Sequence, residues 1–108
     1  MKNSATKVTL HPASGGVQNF TLTIDAEDIN VRYLPNHIQG VDPYALLEFR
    51  SPHEPRRPIP VSEKGYRSYF APMREIESAP SVEEFAWMVV LVLARETARV
   101  PLLSIRSR

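Results

Sequence analysis

Hydrophobic and polar positions alternate along the first half of the chain and run together in the second. In Thr6-Lys7-Val8-Thr9-Leu10-His11 every second residue is apolar, which predicts a short half-buried strand ended by Pro12 and the Ser14-Gly15-Gly16 turn. Phe20-Thr21-Leu22-Thr23-Ile24-Asp25 repeats the pattern with threonines on the wet side, as in an antiparallel strand covered on one face. After the polar connection Asp25-Ala26-Glu27-Asp28, Ile29, Val31 and Tyr33 resume the alternation and predict a hairpin. Leu34 to Pro43 contains Pro35, Asn36, Gly40, Asp42 and Pro43, a composition that predicts a loop. Tyr44 to Arg50 is apolar on both alternating faces, the mark of a central strand.

Prolines at 52, 55, 58 and 60 exclude helix and central strand from 51–60, because proline has no N–H and fixes φ. Val61 is expected to begin a short edge strand, with Ser62-Glu63-Lys64-Gly65 as a turn and Tyr66 to Phe70 pairing back in a third hairpin. Pro72 suits the first turn of a short helix over about Met73 to Ser78, interrupted by Pro80. Ser81 and Glu84 have capping-box spacing ahead of an apolar run, so a long helix is expected from there, ending near Val100 before Pro101. The β-branched run Val89-Val90-Leu91-Val92-Leu93 also admits a strand; the cap, the length and the Arg95-Glu96 continuation favour helix.

These elements predict one α+β domain over residues 1–108, an antiparallel sheet of about five strands covered on one face by the C-terminal helix, with flexible ends at 1–5 and 102–108. The expected core is Val8, Leu10, Phe20, Leu22, Ile24, Ile29, Val31, Leu47, Phe49, Phe85, Met88, Val89 and Val92. A helix apolar nearly all round needs cover on two faces: one from the sheet, the other from the short helix, the tail Leu102-Leu103-Ser104-Ile105 or a second subunit.

Composition removes several classes of chemistry. The chain has no cysteine, so disulfides, thiol nucleophiles and cysteine zinc sites are excluded. The longest apolar run, Phe85 to Ala94, is too short to cross a bilayer, which needs roughly 20 residues. With no apolar segment behind the first lysines, the expected compartment is the cytoplasm. His11, His37 and His53 are too far apart to form a short-spacing ligand set, and no nucleophile elbow or phosphate loop is present. Asp25, Glu27 and Asp28 read as solvated turn acids, since the glycine and alternating ligands of a calcium loop are missing. No cofactor, metal or small-molecule ligand is expected, and the chain reads as a non-enzyme.

The net charge of +1 hides a basic block at 50–74, flanked by acidic stretches. There Arg50, Arg56, Arg57, Lys64, Arg67 and Arg74 stand among Tyr66, Tyr69 and Phe70. Guanidinium groups can neutralise phosphates while aromatic rings stack on bases, so Arg50, Arg56, Arg57, Lys64, Tyr66, Arg67 and Tyr69 form the candidate partner or nucleic-acid surface. On a strand, Tyr66, Ser68 and Phe70 face one way and Arg67 and Tyr69 the other, so one of the two sets belongs to the core. Pro55-Arg56-Arg57-Pro58 reads as a stiff loop, with recognition by an aromatic groove as the alternative.

The stretch Pro52 to Phe70, chiefly Ser62-Glu63-Lys64-Gly65-Tyr66-Arg67-Ser68-Tyr69-Phe70, resembles a segment of small uncharacterised bacterial proteins, some carried on mobile elements. That resemblance implies a bacterial source and neither an activity nor a site. The expected function is therefore a non-catalytic protein-interaction module that self-associates as a homodimer, on the grounds of the excess apolar helix surface and the alternating charge. The alternative is weak nucleic-acid binding through 50–74.

Overall fold

The alternation at Phe20, Leu22 and Ile24 becomes β1, Gln18–Ile24, in the computed structural model, which describes residues 16–106, and side chains from 16 to 98. Three further strands follow, β2 (Glu27–Ile38), β3 (Tyr44–Arg50) and β4 (Tyr66–Pro72), then two helices, α1 (Met73–Glu77) and α2 (Val82–Arg106). The strands form one antiparallel sheet in chain order, β1-β2-β3-β4. The architecture is α+β, with four strands among the described residues where about five are expected of the whole chain. The strand expected at Thr6 to His11, with Val8 and Leu10, lies outside the described residues.

β1 and β2 are joined by the two-residue turn Asp25-Ala26, both at positive φ, which matches the twist of the flanking strands. β2 extends beyond the expected hairpin strand into the region read as loop. Pro35 and Asn36 are accommodated by a register irregularity between Leu34 and Ile38, where Asn36 takes φ 51°, a conformation asparagine tolerates. β3 spans the expected residues and buries Ala45, Leu46, Leu47 and Phe49, as a central strand should.

The third hairpin is a correction. β4 pairs with β3 and not with a strand at Val61, and 51–65 forms a loop whose only bridge among the described residues joins Ile59 to Ser62. Ile59 and Val61 turn inward and join the core instead of making an edge. Ser51 anchors this loop: its buried Oγ accepts the N–H groups of His53 (3.0 Å) and Arg57 (3.2 Å). Its own N–H donates to the Gly65 carbonyl at 2.9 Å. Gly65 stands at φ +80°, and a Cβ there would lie 2.6 Å from the Arg57 carbonyl, so glycine is required.

Pro72 precedes α1 as its N-cap residue, and Met73 donates its N–H to the Pro43 carbonyl at 2.9 Å. The Met73 sulfur accepts the Tyr33 hydroxyl (3.9 Å) and the Asn36 N–H (3.4 Å), which ties the β2 irregularity to α1. At α2 the expected cap forms, with the Glu84 N–H donating to Ser81 Oγ at 3.1 Å. The helix continues through Pro101 to Arg106, past the expected stop and into the expected flexible end. Proline removes one hydrogen bond and crowds the preceding turn, which weakens a helix without always ending it.

The core lies between one face of the sheet and a cover made of α1, α2, Ile59 and Val61. α2 contributes Val82, Ala86, Val89, Val90 and Leu93. This rotates the helix away from the expected face. Of the four positions read as core, Val89 is buried and Phe85 half-buried, while Met88 and Val92 are exposed, at 61% and 53%. Ala86 explains the phase: its small side chain, fully buried, lets the helix approach the sheet where a larger residue would hold it off.

Candidate interaction surfaces

Strand register sorts the basic block onto two faces. On the face away from the helices, Thr21, Asn30, Arg50 and Tyr66 share one row across the four strands. Asn19, Arg32, Glu48 and Ser68 form the next row, and Leu34, Leu46 and Phe70 the one after. Arg67 and Tyr69 take the opposite face. Tyr69 packs against the core, while Arg67 donates to the Val61 carbonyl at 3.3 Å and pairs with Glu96 at 3.7 Å. Of the seven candidates, then, Arg50, Arg56 and Tyr66 come together, Arg57 and Lys64 are exposed in the adjoining loop, and Arg67 and Tyr69 are structural.

The centre of this open face is the Tyr66 ring, with the Arg50 guanidinium 5.5 Å and the Arg56 guanidinium 5.6 Å from its centroid. Cations over an aromatic face are attracted by its quadrupole. The Tyr66 hydroxyl donates to Glu48 Oε2 at 3.1 Å; partial burial, then Glu48, raises the phenol's pKa above its ordinary value. Glu48 Oε1 lies 3.8 Å from Arg32, within ion-pair range, yet accepts no hydrogen bond from the described residues. Beside this network a shallow groove of about 410 Å³ is lined by Asn19, Thr21, Asn30, Arg32 and Arg50, with the β1 and β2 backbone at Phe20 and Val31 as its floor. At the far end of the face Phe70, 47% exposed, meets His37 with ring centroids 6.1 Å apart.

A second surface lies on the opposite side of the molecule, along the outside of α2. Trp87, Met88, Leu91 and Val92 are all exposed there, and Glu84 and Arg95 continue the same line at its two ends. Residues at these spacings share one helical face. Four large apolar side chains within two helical turns form a contiguous apolar stripe, which a surface helix normally does not present to water.

Reading the sequence missed Arg32, Glu48, Asn19 and Asn30 on the open face, because pairing across strands, not proximity in sequence, brings them beside Arg50. It did register the excess apolar surface of the helix, without its phase. Among the described residues no group of three histidine or acidic side chains is placed to hold a metal, and no helix is long and apolar enough to cross a membrane.

Residues 17–101 match the family model of the KlcB third domain, and the chain belongs to that family. No curated protein and no solved structure matches it.

Proposed function

We propose that this member of the KlcB third-domain family is a non-catalytic protein-interaction module that self-associates through the outer face of α2. The observation that carries this reading is the exposed stripe Trp87, Met88, Leu91 and Val92 on a helix whose opposite side is already packed on the sheet. Burying large apolar side chains against a partner gains roughly 25 cal/mol per Å² of apolar area removed from water, and a flat helical stripe offers that area without rearrangement of the fold. Sedimentation across a wide concentration range tests it. Wild-type protein is expected to pass from one chain to two, and Leu91→Asp, at an exposed position, to remain one chain with an unchanged circular dichroism spectrum. A wild type that stays monomeric at every accessible concentration would overturn the reading.

The Arg50-Tyr66-Arg56 arrangement supports a second reading, single-stranded nucleic-acid binding on the open face of the sheet. Arg32, Arg50 and Arg56 supply positive charge beside the groove, Asn19 and Asn30 supply amides for base edges, and Phe70 supplies an exposed ring. On this reading the double change Arg50→Glu and Arg56→Glu weakens binding of a short oligonucleotide at least about tenfold and flattens its salt dependence, while Lys64→Glu has a much smaller effect. Equal losses from both variants would assign the effect to bulk charge rather than to this face.

A further inference from the structure

The outer stripe of α2 has a symmetry in its sequence that specifies how a second copy would lie on it. Its six members form three pairs, Met88 with Leu91, Trp87 with Val92 and Glu84 with Arg95, each centred on the peptide between Val89 and Val90. All six side chains are exposed. At about 100° per residue, Glu84, Met88, Leu91 and Arg95 lie close to the middle line of the stripe, with Trp87 and Val92 on its two flanks. A two-fold axis lying between the two helices at the level of that central peptide, and perpendicular to both, carries each residue to the level of its pair in the other copy and leaves it on its own flank. Near the middle line Met88 then meets Leu91 and Glu84 meets Arg95, each contact occurring twice, while on the flanks Trp87 lies beside the second copy's Trp87 and Val92 beside its Val92.

From this we infer that two copies pair antiparallel through α2, with Glu84 and Arg95 setting the register. The inference rests on the self-association proposed above and adds its geometry. A parallel pair would set Glu84 against Glu84 and Arg95 against Arg95, and like charges facing each other oppose association. The neighbouring carboxylates do not disturb the arrangement: Glu83 is half-buried, and Glu96 turns toward the sheet to pair with Arg67. The interface is isologous, one patch serving both copies, and it closes at two chains. Because α2 lies between its own sheet and its partner, the dimer has four layers, and its two open sheet faces point outward on opposite sides.

Charge exchange, read by sedimentation, tests the register apart from the association. Glu84→Arg alone and Arg95→Glu alone are each expected to raise the dissociation constant roughly tenfold, and the two together in one chain to restore it to within about threefold. The cysteine-free chain allows a second readout by oxidative cross-linking. A mixture of Glu84→Cys and Arg95→Cys chains should cross-link as the mixed pair, while Glu84→Cys alone should not, its two copies standing about 16 Å apart along the helix. If wild type dimerises and Leu91→Asp blocks it, yet the double exchange fails to restore affinity or Glu84→Cys links to itself, the antiparallel register is wrong and the association stands. If wild type never dimerises, both fall together.

Discussion

Tyr33 shows how one buried group ties the fold to pH. Its side chain is fully covered between β2 and α1, with its hydroxyl directed at the Met73 sulfur. Burial, reinforced by the Glu77 carboxylate, pushes the phenol up to about 12, against about 10 in the unfolded chain. Folding therefore favours the protonated form. The stability this contributes is complete below about pH 10 and is lost as pH rises toward 12, by roughly 2 to 3 kcal/mol over that window. Urea unfolding at about pH 8 and about pH 11.5 should show the loss, and Tyr33→Phe should remove most of it. Tyr66, raised in the same direction, leaves a smaller alkaline slope in that variant. A wild type equally stable at both values would show that the phenol ionises as freely folded as unfolded. The position of Tyr33 in the core follows from the alternation Ile29-Val31-Tyr33. Its partner, Met73, is 40 residues away in sequence, and no local pattern predicts that contact.

At the level of elements, the β1-β2 hairpin carries a local conflict between sequence and conformation. Its turn puts Ala26 at φ 68°, a region costing an L-residue with a Cβ roughly 1 to 2 kcal/mol, where glycine is the favoured residue. Ala26 is exposed, so replacing it sacrifices no packing. Ala26→Gly should stabilise the protein by about 0.5 to 1 kcal/mol after glycine's added chain entropy, and raise its melting temperature by a few degrees. A lower melting temperature would mean the turn is not in this conformation. The strands were legible because a sheet wet on one face imposes a period of two, and Thr21, Thr23, Asn30 and Arg32 kept that period visible. Helix α2 was legible in existence and in its N-cap, and illegible in phase. With ten apolar residues in succession from Phe85, every rotation offers an apolar face, and only the fit of Ala86 and Val90 against the sheet selects one. The Val61 strand failed for a related reason: burial of Ile59 and Val61 under the sheet outweighed pairing at an edge.

For the molecule as a whole, the candidate surfaces were half legible. The basic block drew attention to Arg50, Arg56 and Tyr66, but their setting depends on β1 and β2, which bring Asn19, Asn30 and Arg32 from outside that block. Excess helix surface pointed to association, while the stripe that supports it emerged only once the sheet had taken the other side. The order of the strands has a further consequence, for the making of the chain. Each strand pairs with the one before it, so closing the sheet costs little loop entropy and can follow the growing chain step by step. The helix that covers it comes last. Between Pro72, where β4 ends, and Leu93, the last buried residue of α2 among those described, stand the 21 residues from Met73 to Leu93. At synthesis rates of about 5 to 20 residues per second, Leu22, Val31 and Phe49 wait roughly one to four seconds with a finished sheet and without the helical part of their cover. In that interval the nascent chain presents its core to the surroundings, and trapping by another chain competes directly with the arrival of its own helix.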